Sequence, residues 1–137
     1  MKEIVDAIYS RLSSVTAGGS FHALLNGRYY HLSGPQNVAF PNAIYSLDAV
    51  ENSNQFDGSR IVTGALSFDI FCEAKGGIAT CMTIEEALFT LLDQQNLTAA
   101  SPYGIVSVQS VSRGVPSFTD EFVILSSTYS IYTTRTA

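Results

Sequence analysis

The side chains that most often carry chemistry are few in this chain and lie far apart. Its two histidines are His22, beside the apolar segment Phe21 to Leu25, and His31, in the tyrosine-rich stretch Tyr29-Tyr30-His31. A nucleophilic triad needs a serine or cysteine, a histidine base and an acid converging in space. Neither histidine has an acid or thiol beside it in a recognisable local motif. Cys72 and Cys81 are separated by a spacing that fits neither a metal knuckle nor a redox pair, and they read as buried free thiols acting as small core residues. No group of His, Cys and carboxylate has metal-ligand spacing. Glu85 and Glu86 are adjacent, so on a helix they point about 100° apart and make no acid/base dyad; Asp120-Glu121 is a second such pair. Thr83 and Glu86 fit a capping box. Gly18-Gly19 and Gly76-Gly77 lack the lysine and the strand-turn-helix setting of a phosphate loop. The expectation is a protein with no catalytic residues, no cofactor and no metal, which works by shape.

The elements that would set that shape centre on Arg60 to Glu73, the longest clean two-residue alternation in the chain. Val62, Leu66, Phe68, Ile70 and Cys72 share one face, which predicts a strand with one dry side. After Lys75-Gly76-Gly77 the period changes to about 3.6, and Cys81, Ile84, Leu88, Leu91 and Leu92 form one helical stripe able to cover that side. Upstream, Ile4, Val5, Ile8, Leu12 and Val15 predict a helix from Lys2 to Val15. Phe21 to Leu25 reads as a turn of helix, Asn26-Gly27 as a turn, Arg28 to Leu32 as a short strand and Ser33 to Pro41 as loop. Asn42 to Glu51 alternates as a strand, and Asn52 to Ser59 reads as a long hairpin loop into the central strand. Downstream, Asn96 to Pro102 reads as loop, Tyr103 to Val115 as a strand ending in a turn at Gly114-Val115-Pro116, and Glu121 to Thr134 as the last strand. Helices separated by runs of hairpin-connected strands predict an α+β fold. It would have a mainly antiparallel sheet, an N-terminal helix and a second long helix packed on one face, with residues 1–137 as one domain.

Composition points outward as well as inward. Apolar residues make up 46% of the 137 and charged residues only 14%, below the ~25% of an ordinary soluble surface, so part of the exterior is expected to be covered by other protein. The formal charge of −5 and the absence of a Lys/Arg cluster argue against attraction to phosphates or anionic lipid. No apolar run reaches the ~18 residues of a membrane span, and the N-terminal MKEIVDAIYSRL reads as an amphipathic helix rather than a signal peptide, which suggests a cytosolic origin. On the second helix Ile78, Met82 and Phe89 form another apolar stripe, expected to meet a neighbouring subunit. Residues Asn54, Gln55, Phe56, Asp57 and Gly58 form the tip of the long hairpin loop and are expected to contact the neighbouring subunit or another component, with Phe56 as anchor.

The ordered combination of a first helix, Leu24-Leu25-Asn26-Gly27-Arg28-Tyr29-Tyr30, Gly34-Pro35-Gln36-Asn37, Pro41-Asn42-Ala43-Ile44-Tyr45, Phe68-Asp69-Ile70-Phe71 and Glu86-Ala87-Leu88 resembles the tail terminator, or tail completion, proteins of long-tailed bacteriophages and phage-like particles. The resemblance runs along nearly the whole chain. It implies a structural virion protein at the head–tail junction, assembled in the host cytoplasm. A hexameric ring would cap the tail tube, stop its polymerisation and present a joining surface to the head connector. Its partners would be further copies of itself, the tube protein and the head completion protein, with DNA passing through the lumen unbound and no membrane involved. Two other readings are a small-ligand-binding α+β dimer and an unrecognised enzyme with His22, His31 and a carboxylate in one pocket.

Overall fold

The computed structural model describes residues 2–54 and 58–136. Helix α1 spans Lys2–Ser14 and α2 spans Phe21–Leu25; strands β1 (Tyr29–His31), β2 (Asn42–Asn54) and β3 (Arg60–Glu73) follow. Helix α3 (Gly77–Leu92) leads to β4 (Gln95–Thr98), β5 (Ile105–Phe118) and β6 (Phe122–Arg135). The six strands form one curled sheet in the order β1-β2-β3-β6-β5-β4. All neighbours are antiparallel except β1, which runs parallel to β2. The fold is α+β, as the alternation and periodicity predict.

Local chemistry explains most boundaries. In α1, Ile4, Ile8 and Leu12 recur on one side and are fully buried, while Lys2 and Asp6 pair at 2.6 Å across one turn of the exposed side. The hydroxyls of Ser13 and Ser14 donate back to Tyr9 O and Arg11 O in the final turn, and Val15 lies outside the helix, exposed. Ser20 caps α2 by accepting from Ala23 N, and Asn26 closes it in the left-handed region at φ 50°. Gly76, at φ 77°, precedes α3, and a Cβ on Gly77 would lie 3.0 Å from Cys72 Cβ, so glycine lets the helix start against the end of β3. A Cβ on Gly64 would lie 2.6 Å from Asp48 O of the adjacent strand, so only glycine admits that approach of β2 to β3.

All three helices contribute to one buried cluster on a single face of the sheet. That cluster contains Leu66, Phe68 and Ile70 of β3 together with Leu88, Leu91 and Leu92 of α3. Phe68 is its hub: the ring stacks on Tyr45 at 5.4 Å between centroids and meets Phe21 and Tyr129 edge-on at 6.0 and 6.1 Å. Arg11 of α1 donates to Leu91 O in the last turn of α3 and to Gln95 Oε1 of β4. The cation thereby meets the negative end of the α3 dipole and fastens two helices and a strand together.

Five expectations need correction. Cys72 and Cys81 are buried but not free: they form a disulfide, because the last inward residue of β3 and the second turn of α3 face each other with Cα atoms 6.1 Å apart, inside the bridging range. Thr83 does not cap a helix, since α3 begins at Gly77 and the Thr83 hydroxyl donates to Ala79 O within it. Gln95–Thr98 is a strand where loop was expected, with Leu97 as its single buried residue, too short for a period to show. Strand β5 does not turn at Gly114-Val115-Pro116. It continues to Phe118 through two register irregularities, with Gly114 at φ 59°. Strand β2 likewise runs on to Asn54, so the connection to β3 is shorter than the span from Asn52 to Ser59.

Replacing Phe68 with alanine removes the hub of the aromatic cluster and is expected to cost about 3–5 kcal/mol in chemical denaturation, the usual range for a buried phenylalanine. A melting temperature within a degree or two of the parent would mean that the β3 register is displaced.

Candidate functional site

Neither histidine lies in a catalytic arrangement with the other. His22 Nδ1 is hydrogen-bonded with Tyr29 Oη at 2.8 Å, which ties α2 to β1. His31 is exposed, its ring against Tyr45, and it lines a groove with Asp6 and Asp48 that His22 does not reach. Among the described residues no three of His, Cys, Asp and Glu are placed to hold a metal ion.

The strongest polar cluster is one that sequence spacing does not show. Arg113 of β5 donates to Glu85 Oε1 at 2.8 Å, to Glu85 Oε2 at 3.0 Å and to Glu86 Oε2 at 2.7 Å, and its guanidinium lies 3.6 Å above the Phe89 ring. The two acids diverge on α3, as adjacent helical residues do, yet one planar cation between them reaches both. The irregularity in β5 at residues 110–115 is what turns Arg113 toward the helix. Its hydrogen bonds to Glu85 push its pKa above the ordinary range. Of the second apolar stripe on α3, Ile78 and Phe89 are half-buried and pack against the core, Phe89 lying under Arg113; Met82 is 58% exposed.

At the hairpin end of the sheet, Glu51 receives Arg60 at 3.5 Å, Arg135 at 3.4 Å and the Tyr103 hydroxyl at 3.3 Å. This network ties β2, β3, β6 and the β4–β5 connection across the curl. Of the expected contact loop, Asn54 is the last residue of β2 and Gly58 is exposed at φ 84°, while Gln55, Phe56 and Asp57 lie outside the described residues.

The face of the sheet that no helix covers has its own character. The register places Ser46 beside Ser67, Ser67 beside Thr128, Ala65 beside Ser130 and Asp69 beside Ser126, whose hydroxyl donates to Asp69 at 2.7 Å. Phe40, Phe71 and Phe122 cluster at one end, with centroids 5.5 and 6.3 Å apart. Among the described residues of β2, β3, β5 and β6 that alternate onto this face, none is Lys or Arg. The small cationic complement is spent elsewhere: Arg11, Arg28 and Arg113 hold structural carbonyls or carboxylates.

In comparisons with solved structures, the fold is similar along its whole length to a chain in the virion of a native gene transfer agent particle. The TM-score is 0.75 at 14% identity, covering 97% of this chain and 96% of that one. A second solved structure, described only by a sequence identifier, is similar with a TM-score of 0.64 at 17% identity, covering 95% and 94%. No protein-family model and no curated protein matches the sequence. What these likenesses establish is the fold.

Two outcomes follow from the buried polar groups. Arg113→Ala leaves Glu85 buried with its cation gone, and because the Arg113 side chain is 36% exposed the cost should be about 2 kcal/mol, below the range for breaking a fully buried pair. Replacing both, as Glu85→Leu with Arg113→Met, should regain most of that loss in a denaturation series. Burial pushes Tyr29 and Tyr45 up to about 12 from 10, and pushes Tyr129 upward as well. Below pH 10 these phenols are neutral whether folded or unfolded. Above it the unfolded chain ionises first, so stability should fall from about pH 10 and keep falling to about 12. An ultraviolet titration should show phenolate absorbance rising together with loss of the folded circular dichroism signal.

Proposed function

We propose that this chain is a structural virion protein that caps the tail tube of a phage-like particle as a hexameric ring, stops tube polymerisation and joins the tail to the head connector. The observation that carries this reading is the whole-length likeness to a chain of a gene transfer agent virion. It falls on a sequence that resembles tail terminators over the same span. Three features of the chain support it. Its uncovered sheet face has no Lys or Arg among the described residues and carries the exposed apolar side chains Val50, Ile105, Val115 and Tyr132 beside its hydroxyls, which suits a surface covered by other copies or components of an assembly. Met82 stands exposed on α3 beside an otherwise covered stripe, as a subunit contact would require. The ion pairs of Arg113 with Glu85 and of Arg135 with Glu51 hold elements together rather than being poised around a reacting centre.

In this reading Ile78, Met82 and Phe89 face the next subunit, and the loop Asn54, Gln55, Phe56, Asp57 and Gly58 meets the tube or the adjacent copy. The ring forms at the tube end, where local concentration favours it. The protein acts without cofactor or catalysis, in the virion, after assembly in the host cytoplasm.

Electron microscopy of the protein mixed with its tube protein tests this directly, with rings at tube ends as the expected image. Met82→Asp should leave the melting temperature nearly unchanged and shift rings to monomers in sedimentation, since the side chain is already solvated in the monomer. Deleting Asn54 to Gly58 should leave the monomer folded and give tubes of uncontrolled length. A stable dimer as the only assembly would overturn the ring, and infectious particles with normal tails from the deletion would remove the loop from the reading.

A further inference from the structure

The sheet has two long outer edges, and they are treated differently. On one side β4 pairs with β5 only from Ile105 to Val108, leaving the outer side of the rest of β5 without a neighbour among the described strands, while its inner side pairs with β6. That stretch is interrupted by two register irregularities, by Gly114 at φ 59° and by Pro116, which has no N–H to offer. Bulges and proline are the devices that keep an edge from recruiting another strand. On the other side β1 pairs with β2 only from Ala43 to Tyr45. Beyond that point β2 runs in regular register with β3 from Ser46 to Asn52, with neither bulge nor proline. Among the described residues no strand lies on its outer side.

The chain itself keeps that position open. Leu32 N donates to Tyr45 O at 2.8 Å, the last link of β1 to β2, and Leu32 then takes φ 70° and turns the backbone away. This conformation is disfavoured for leucine, and it leaves the side chain 67% exposed beside the vacated position. A groove of about 510 Å³ lies there, walled by Val5 of α1, Leu32, Leu47 and Ala49. Six residues of extended chain, roughly 20 Å, would run along Ser46 to Glu51.

We propose that the outer edge of β2 from Ser46 to Glu51 accepts an extended segment of a different virion protein as an added strand, its side chains alternating apolar on the helix side and basic on the uncovered side. The proposal rests on the virion reading above. Main-chain N–H and C=O groups on a bare edge specify an extended peptide whatever its side chains. The alternation comes from β2: Leu47 and Ala49 present an apolar surface on the helix side, whereas Asp48 faces the opposite side beside the slot and has no ion pair among the described residues. Lys2 and Asp6, which also line the groove, are paired with each other. A second copy of this chain offers only its own β2 edge as an uninterrupted strand, and antiparallel pairing of the two edges would bring the like-charged Asp48 side chains close together on one face; β5 is interrupted and the outer strands β1 and β4 have three and four residues.

The test places a photo-crosslinking residue at Val50, which is 55% exposed on the uncovered side next to the slot, and irradiates purified particles before mass spectrometry. Thermal melting of the isolated variant checks its fold. The expected product joins position 50 to a segment of another virion protein whose sequence alternates apolar and basic residues. In competition with the parent chain, Asp48→Lys should reduce incorporation into particles at least ten-fold, while Glu121→Lys, at the far end of the sheet, should not. A crosslink to a second copy of this chain, or none in particles that contain it, overturns the proposal and leaves the virion reading standing. Absence of the chain from purified particles overturns both.

Discussion

The structure depends on covering one face of one sheet. Four strands of 13 or 14 residues place their inward side chains on a common surface, and α1, α2 and α3 all lie against it. Phe68, fully buried at the middle of β3, touches aromatic rings from α2, β2 and β6, so the central strand, its two neighbours and a helix converge on one side chain. Burying apolar surface contributes about 25 cal/mol per Å². A sheet covered on one side concentrates that contribution in a single layer, and the other side is left to meet whatever surrounds the protein.

Charge is used sparingly, and three of the arginines hold elements together. Arg11 closes the C-terminal end of α3, Arg28 fastens Phe40 and Pro41 at the start of β2, and Arg113 links β5 to α3 through Glu85 and Glu86. These contacts join elements that are distant in sequence. The uncovered face carries no Lys or Arg among the described residues and mixes hydroxyls and Asp69 with the exposed Val50, Ile105, Val115 and Tyr132, a property of the whole sheet that no short motif encodes. The same economy explains why Asp48 stands without a cation beside an open strand edge.

Much of the fold was legible because it is local. The two-residue alternation of β3, the 3.6-residue stripe of α3 and the turn at Asn26-Gly27 are each written within a few positions, where backbone geometry dictates side-chain direction. The elements that went unread are short or irregular. Gln95–Thr98 holds one buried residue and shows no period, and β5 passes through Gly114 and Pro116, residues that ordinarily end a strand. The candidate surfaces were less legible still. Met82 is exposed on α3, and Phe89 lies under Arg113, a contact between residues in different elements that neither periodicity nor spacing reveals.

The sequence by itself determined the class of fold, the order of its main elements and which face of each is dry, because those follow from the spacing of apolar residues along a chain of known pitch. Tertiary structure decided which distant groups meet. Cys72 and Cys81 could be placed on dry faces from the pattern, but whether they pair depends on the separation of β3 from α3, which Gly77 sets by allowing close approach. Arg113 could be any surface cation until the irregularity in β5 turns it onto Glu85. Likewise, nothing local to β2 states that its outer edge is bare. That follows from where β1 stops and from how the sheet orders its strands, relations of three-dimensional distance that a one-dimensional period does not contain.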